Sequence, residues 1–271
     1  MKGFDALHCP RGVVNLTPSF SKSSVSIYYF VKLSYYFFVL ALAAAGQPVL
    51  AQASRDLAEA RTLYSQANGG PTGTALRTAL AGQTKGFYGK GEFQPGALRT
   101  FDGRFRPVPG LRYHPGLRLL EAQDSISLDS THLWPVGSLR GFEVGEAGGT
   151  GINAPHRFRP RLVKEGSTGT RREYVEVLTA IDAGPLLLAW LYASGNESNR
   201  SAMVPLLVVG PGTATTEPLR PLELTQAAVL KLFGNRVAQV ASYALGEKLT
   251  FDRPADVAHM IDYYNRVAVV K

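Results

Sequence analysis

Residues 171–193 constrain this chain more than any other stretch. They read Arg-Arg-Glu-Tyr-Val-Glu-Val-Leu-Thr-Ala, then Ile-Asp-Ala-Gly, then Pro-Leu-Leu-Leu-Ala-Trp-Leu-Tyr-Ala. Two runs rich in β-branched and aromatic residues around a four-residue Asp-Gly turn predict a β-hairpin. In the second run Leu186, Leu188, Trp190 and Tyr192 point to one face, and Leu187, Ala189, Leu191 and Ala193 to the other. A strand apolar on both faces belongs in the middle of a covered sheet. Trp190 is therefore expected at the centre of that sheet, buried.

Not all 271 residues read as part of the fold. Lys32 precedes a short apolar run, 33–45, which is followed by Gly46-Gln47-Pro48 and the small residue Ala51. A basic flank, a short apolar core and small residues at a cleavage site describe a secretory signal peptide, and the run is too short to span a bilayer. The expectation is export, with cleavage near Ala51 and a periplasmic or extracellular location. The polar leader before Lys32 does not suit a signal peptide, whereas initiation at Val31 would open on Met-Lys-Leu-Ser-Tyr. Residues 1–30 are then expected to lie upstream of the true start and to be disordered. A GTG codon at position 31 is what this start requires.

Removing 1–51 leaves 25 Lys and Arg against 20 Asp and Glu, so the net charge falls from +8 to +5. That mild excess favours an anionic partner without implying nucleic acid. The only cysteine, Cys9, leaves with the leader, which excludes a disulfide in the mature chain. About 220 residues remain, enough for one domain with a core of its own.

Residues 52–271 divide by pattern into a helical segment (52–91), a sheet (92–210) and helices (222–267). Leu57, Ala60, Tyr64 and Ala67 recur at helical spacing, and a second short helix fits Ala75–Ala81. From Glu92 onward, Pro95-Gly96, Asp102-Gly103, Pro109-Gly110 and Pro115-Gly116 punctuate short runs, the mark of an antiparallel meander. Further strands are expected over Ser125–Leu128, His132–Trp134, Ser138–Val144, Arg157–Val163 and Ala202–Val209. Beyond Gly210-Pro211-Gly212 the period turns helical, with Val257, Met260, Ile261 and Tyr264 on one face of the last helix. Strands followed by helices predict an α+β fold, an antiparallel sheet with the C-terminal helices packed on it. The punctuated meander, the Glu-Tyr-Val-Glu-Val-Leu hairpin and the terminal Ile-Asp-Tyr-Tyr-Asn helix resemble exported β-rich proteins of Bacteroidetes-type bacteria. That resemblance, over about 92–265, implies export and this layout, and no activity.

Three groups of residues could carry chemistry. Arg157, Arg159 and Arg161 alternate along a strand, with Arg171 and Arg172 beyond the next turn. Guanidinium forks suit phosphate and carboxylate, so this face is a candidate for an anionic lipid headgroup or glycan. The plain alternative is a solvated face paired with Glu173 and Glu176, and in either case changing all three to Gln should leave folding nearly intact. Asp129, Ser130 and His132, beside Asp124, crowd one segment as candidate catalytic residues. No Gly-x-Ser-x-Gly elbow accompanies them, and Asp-Ser-Thr is ordinary turn chemistry. Asp256, His259 and Asp262 sit near one face of the last helix, but the spacing lacks further ligands and reads as a solvated face; no metal is expected. Likewise 145–151 has glycines without the lysine or the spacing of a nucleotide loop, so no cofactor is expected.

The functional expectation is an exported envelope protein that works as a binding or structural module with a basic sheet face. Its partner would be an anionic surface ligand or another envelope protein, with membrane contact only through the signal peptide. The alternative is a small exported hydrolase with a polar site not recognisable in the sequence.

Overall fold

The computed structural model describes residues 55–81, 83, 85–146, 148–150, 154–165, 169–194, 203–212 and 217–269. The expected leader, signal peptide, cleavage point and Val31 start lie outside the described residues. Ser54–Lys271 forms one compact unit. It opens with helices α1 (55–68) and α2 (Gly70–Ala81). Ten strands follow: β1 Gln94–Arg99, β2 Phe105–His114, β3 Leu119–Gln123, β4 Thr131–Pro135, β5 Gly141–Val144, β6 His156–Glu165, β7 Gly169–Val177, β8 Leu187–Ser194, β9 Met203–Gly210 and β10 Arg220–Pro221. Helices α3 (Gln226–Lys231), α4 (Val237–Gly246) and α5 (Pro254–Val269) end the chain. The fold is α+β, as the succession of periods predicts.

All ten strands belong to one antiparallel sheet, in the order β10-β9-β8-β7-β6-β5-β1-β2-β3-β4. Its two halves enclose cores on opposite faces. On one face Leu98, Tyr113, Leu120, Phe142, Phe158 and Tyr174 form an aromatic cluster, and the Tyr174 hydroxyl reaches the Pro135 carbonyl at the end of β4 (3.3 Å). On the other, Val163, Val175, Val177, Leu187, Ala189, Leu191, Val208 and Leu219 form an aliphatic one. Leu219 closes this second half by a parallel bridge to Val163, with Leu219 N–H donating to the Leu162 carbonyl at 2.7 Å. The long strands β6 and β7 serve both cores, because alternation sends Phe158 and Tyr174 one way and Val163 and Val175 the other.

The C-terminal helices cover β8 and β9 through Leu188, Leu207 and Val209, against Val229, Phe233, Val240, Val257, Met260 and Ile261. Trp190 packs at the margin of this cluster and is only partly buried, so the central position expected for it belongs to Leu188. The tight hairpin turn is also corrected. β7 and β8 pair over Glu176–Trp190 and Val177–Ala189, and residues 178–186 form a broad loop. Asn265 of α5 grips that loop, accepting from Leu186 N–H at 2.9 Å and donating to its carbonyl at 2.8 Å. A Cβ on Gly184 would lie 2.5 Å from the Asn265 amide nitrogen, so only glycine fits there.

Two further expectations shift. Pro95-Gly96 lies inside β1 and Pro109-Gly110 inside β2 rather than at turns; Gly96 is needed because a Cβ would strike the Glu143 carbonyl oxygen at 2.2 Å. Residues 125–128 are a loop, not a strand. Glu173, on β7, is 4 % exposed and burial pushes its carboxyl up to about 7, despite Arg171 Nε at 2.8 Å. The shift is upward, so the stability it contributes is complete below the ordinary value of 4.5 and is lost as pH rises through about 7. Glu173→Gln should therefore raise the unfolding free energy at pH 8 by on the order of 1–3 kcal/mol and flatten the profile from about pH 5 to 8. Urea midpoints at the two pH values test this; identical pH dependence in variant and wild type would refute it.

Candidate functional site

The polar residues named from the sequence fall into two places with different fates. The arginines of β6 do not form a free face. Arg159 is 3 % exposed. Its Nε donates to Asp182 Oδ2, Nη2 to Glu143 Oε1 at 3.1 Å and Nη1 to the Phe158 carbonyl at 2.8 Å. Arg157 donates to Asp182 Oδ1 at 2.8 Å and to the carbonyls of Thr179 and Ala180. Arg161 reaches the carbonyls of Asp182 (3.1 Å) and Gly212 (3.2 Å), and burial lowers its pKa. All three guanidinium groups are occupied in holding the 178–186 loop against the sheet. Arg171 is engaged by Glu165 and Glu173, and Arg172 is half-exposed with a long 3.9 Å approach to Glu59. The anion-binding face expected here is a structural clasp.

The second place is a cleft of about 340 Å³ at the other end of the sheet. β4 is the edge strand, and its alternation sends His132 and Trp134 to one face and Leu133 to the other, under α1 and α2. Asn68 of α1 closes the open edge: its Oδ1 accepts from Leu133 N–H at 2.9 Å and its Nδ2 donates to the Leu133 carbonyl at 2.7 Å. An edge strand needs such a cover to avoid pairing with another chain. One turn earlier on α1, Tyr64 comes over the exposed side of β4. Its ring lies 4.4 Å from that of Trp134, and its hydroxyl is 2.9 Å from His132 Nδ1.

His132 Nε2 lies 3.3 Å from Asp124 Oδ2. The arrangement that satisfies all three groups has Nε2–H donating to Asp124 and the Tyr64 hydroxyl donating to Nδ1. The Ile126 N–H, with His132 second, holds the Asp124 carboxyl below its usual range, while burial raises the Tyr64 hydroxyl. Leu98, Val108 and Ala122 supply apolar lining; Arg106, Gln123, Asp124 and Ser125 supply polar lining. The cleft has an aromatic wall, an apolar patch and hydrogen-bonding groups of both signs.

Of the catalytic candidates, the structure places only His132 in this cleft. Asp129 and Ser130 are exposed on the loop beyond it and do not line it. With both ring nitrogens of His132 engaged, no lone pair is left to take a proton from an attacking hydroxyl. Asp256 and Asp262 of α5 are likewise spent on backbone, accepting from Thr250 N–H and Ala180 N–H. Sequence reasoning missed Tyr64 and Trp134. The alternation His132-Leu133-Trp134 could have paired the last with His132, but nothing in the sequence brings Tyr64 to a strand 68 residues away.

A second polar cluster surrounds Glu176, which is 6 % exposed. It accepts from His156, Tyr192 and Tyr88, and Tyr88 also sets its ring edge-on against Phe158 at 5.0 Å. This hub fastens the segment after α2 to the aromatic core. The Glu176 hydrogen bond raises the pKa of His156.

No protein-family model, no curated protein and no solved structure matches the chain.

Proposed function

We propose that this is an exported cell-envelope protein that works as a binding module, and that its ligand is an acidic glycan unit held in the Tyr64–His132–Trp134 cleft. The observation that carries this reading is the composition of the cleft. Tyr64 and Trp134 offer the flat apolar surface on which the C–H face of a sugar ring packs. Gln123, Asp124, Ser125 and His132 offer the mixed donors and acceptors that hydroxyl groups need. Arg106, 53 % exposed in its side chain and held by Asp102 only at a long 3.9 Å, is available for a carboxylate. The saturated His132 supports recognition over hydrolysis, because a ring fixed at both nitrogens orients a rim without moving protons.

Trp134 and Trp190 are the two tryptophans, so a Trp190→Phe background makes Trp134 emission a direct report on the cleft. Titration with an oligogalacturonate should change that emission, and the fully methyl-esterified oligomer should bind about five- to tenfold more weakly. Tyr64→Ala should weaken both by roughly tenfold. Arg106→Gln should weaken only the acidic oligomer, removing the difference between the two. Emission unmoved by either oligomer up to about 10 mM, with circular dichroism intact, would reject this ligand for the cleft.

A further inference from the structure

His156 opens β6 opposite Val144 of β5, and two residues on, Phe158 lies across from Glu176 of β7. Residues two apart on a strand share a face, so Glu176 is the diagonal neighbour of His156, within reach of a long side chain. The two side chains meet, His156 Nδ1 bonding Glu176 Oε1. The other carboxylate oxygen accepts from the Tyr192 hydroxyl and, at 3.4 Å, from that of Tyr88. A carboxylate only accepts, so the arrangement that satisfies the pair puts the proton on Nδ1 and leaves the lone pair on Nε2.

The two ring nitrogens face different surroundings. Nδ1 turns to a carboxylate group on a residue 6 % exposed, whereas the His156 side chain is 51 % exposed. No described residue bonds Nε2, and the ring lines a cleft of about 570 Å³. At the end of β5, Gly145 (φ +113°) turns the chain off the sheet, its N–H donating to the Pro95 carbonyl at 2.8 Å. Gln94, Glu146, Thr150 and the glycine backbone of that loop line the same space. His132 is the opposite case, with both nitrogens held. A nitrogen fixed by a buried carboxylate, with its partner free beside open space, is the arrangement of a general base.

We propose that His156, oriented by Glu176, is the general base of a second site, which hydrolyses a neutral acyl ester. Nε2 takes a proton from water as the water oxygen attacks the carbonyl carbon. The tetrahedral adduct collapses, the bond to the alcohol oxygen breaks, and the imidazolium returns the proton to that oxygen. Ester and water give acid and alcohol, and nothing is oxidised or reduced. Glu176 is a positioning residue: it fixes the tautomer and stabilises the imidazolium. The titratable groups around the ring are Glu176 of β7, Tyr192 of β8, Tyr88 after α2 and Glu146 of the loop. Burial raises both tyrosine hydroxyls, which stay protonated donors, and the Glu176 hydrogen bond makes the imidazole a stronger base than a free one.

The lining selects the substrate class. None of the described residues that line the cleft is a lysine or arginine, and Glu146 repels anions, which disfavours phosphoesters and acidic acyl groups. Glycoside hydrolysis uses two carboxylates facing the bond, and Glu176 is committed to its three donors. An amide, with its poorer leaving group, calls for an activated side-chain nucleophile. A lone oriented base suits an ester. No residue of the Tyr64 cleft lines this one, so the proposal stands apart from the glycan reading.

The test is hydrolysis of ethyl acetate by the full chain, followed as acid release at fixed pH. The rate should exceed that of an equal concentration of imidazole by at least about 100-fold. His156→Gln, at a half-exposed position, should keep its circular dichroism and lower kcat/KM at least about 100-fold. His259→Gln, on the exposed side of α5, should leave the rate unchanged. Glu176→Gln should lower kcat/KM and move the acidic limb of its pH profile to lower pH, which a merely structural loss would not do. Monoethyl succinate should react about tenfold more slowly than ethyl acetate, and Glu146→Gln should narrow that gap. Each of four results would overturn the proposal: a rate no greater than that of free imidazole, a folded His156→Gln variant with the wild-type rate, an unmoved acidic limb in Glu176→Gln, or equal rates for the two esters.

Discussion

Arg159→Gln is expected to cost roughly 3–5 kcal/mol of folding stability, a large part of the 5–15 kcal/mol typical of a domain. The side chain is 4 % exposed and bonds at once to Asp182, to Glu143 and to the Phe158 carbonyl. Taking away the guanidinium leaves two carboxylates facing buried backbone with fewer partners, and unpaired buried charge costs far more than a lost surface pair. Arg99, 3.7 Å from Asp182 and 3.5 Å from Glu143, limits the damage without replacing the buried bonds. Because the network is shielded, the loss should change little between low and high salt. Urea denaturation decides it: a midpoint within error of wild type would mean that Arg157, Arg161, Asp262 and Asn265 hold the 178–186 loop without Arg159. Replacing Arg157, Arg159 and Arg161 together should unfold the protein at ambient temperature. Such a triple change leaves folding nearly intact only if these side chains are solvated, and they are not.

Phe158→Ala should cost about as much, roughly 3–5 kcal/mol. Phe158 is fully buried, stacks on Phe142 at 4.6 Å and 6°, and meets Tyr88 and Tyr113 edge-on or tilted at 5.0 and 5.6 Å. The cavity cannot collapse easily, because its walls come from β2, β5 and the segment after α2, each fixed by its own packing. Trp190→Ala, at the margin of the helical cluster, should cost less, on the order of 1–3 kcal/mol, since part of the indole already meets water. Thermal or urea unfolding of the two variants side by side ranks them. A larger loss at Trp190 than at Phe158 would place the dominant core under the helices rather than in the aromatic cluster.

Local chemistry accounts for what was legible at the site. His132 stood out beside Asp124 because the two residue types cluster within a short segment, and they do meet, at 3.3 Å. Ser130 stood out for the same reason, yet it turns outward, since the loop satisfies its own backbone by bonds to Ser127 and Asp124. The alternation of Arg157, Arg159 and Arg161 along β6 places the three on one face. Whether that face meets water depends on a segment later in the chain, around Asp182, folding back over it, which strand periodicity cannot report.

Periods of two and of 3.6 residues, with Gly and Pro at the breaks, sufficed to determine from the sequence that a helical segment precedes the strands, that helices end the chain, and that β8 is apolar on both faces. Those properties are local, set by which side chains share a face of an element. Only the tertiary structure decided that the sheet encloses two cores on opposite faces, that Asp182 sits among four arginines, and that Tyr64 overhangs Trp134. Each of these joins residues far apart in the chain. They follow from strand order, from a loop folding back over β6 and from helix packing on an edge strand, which depend on all the elements together and not on the pattern of any one.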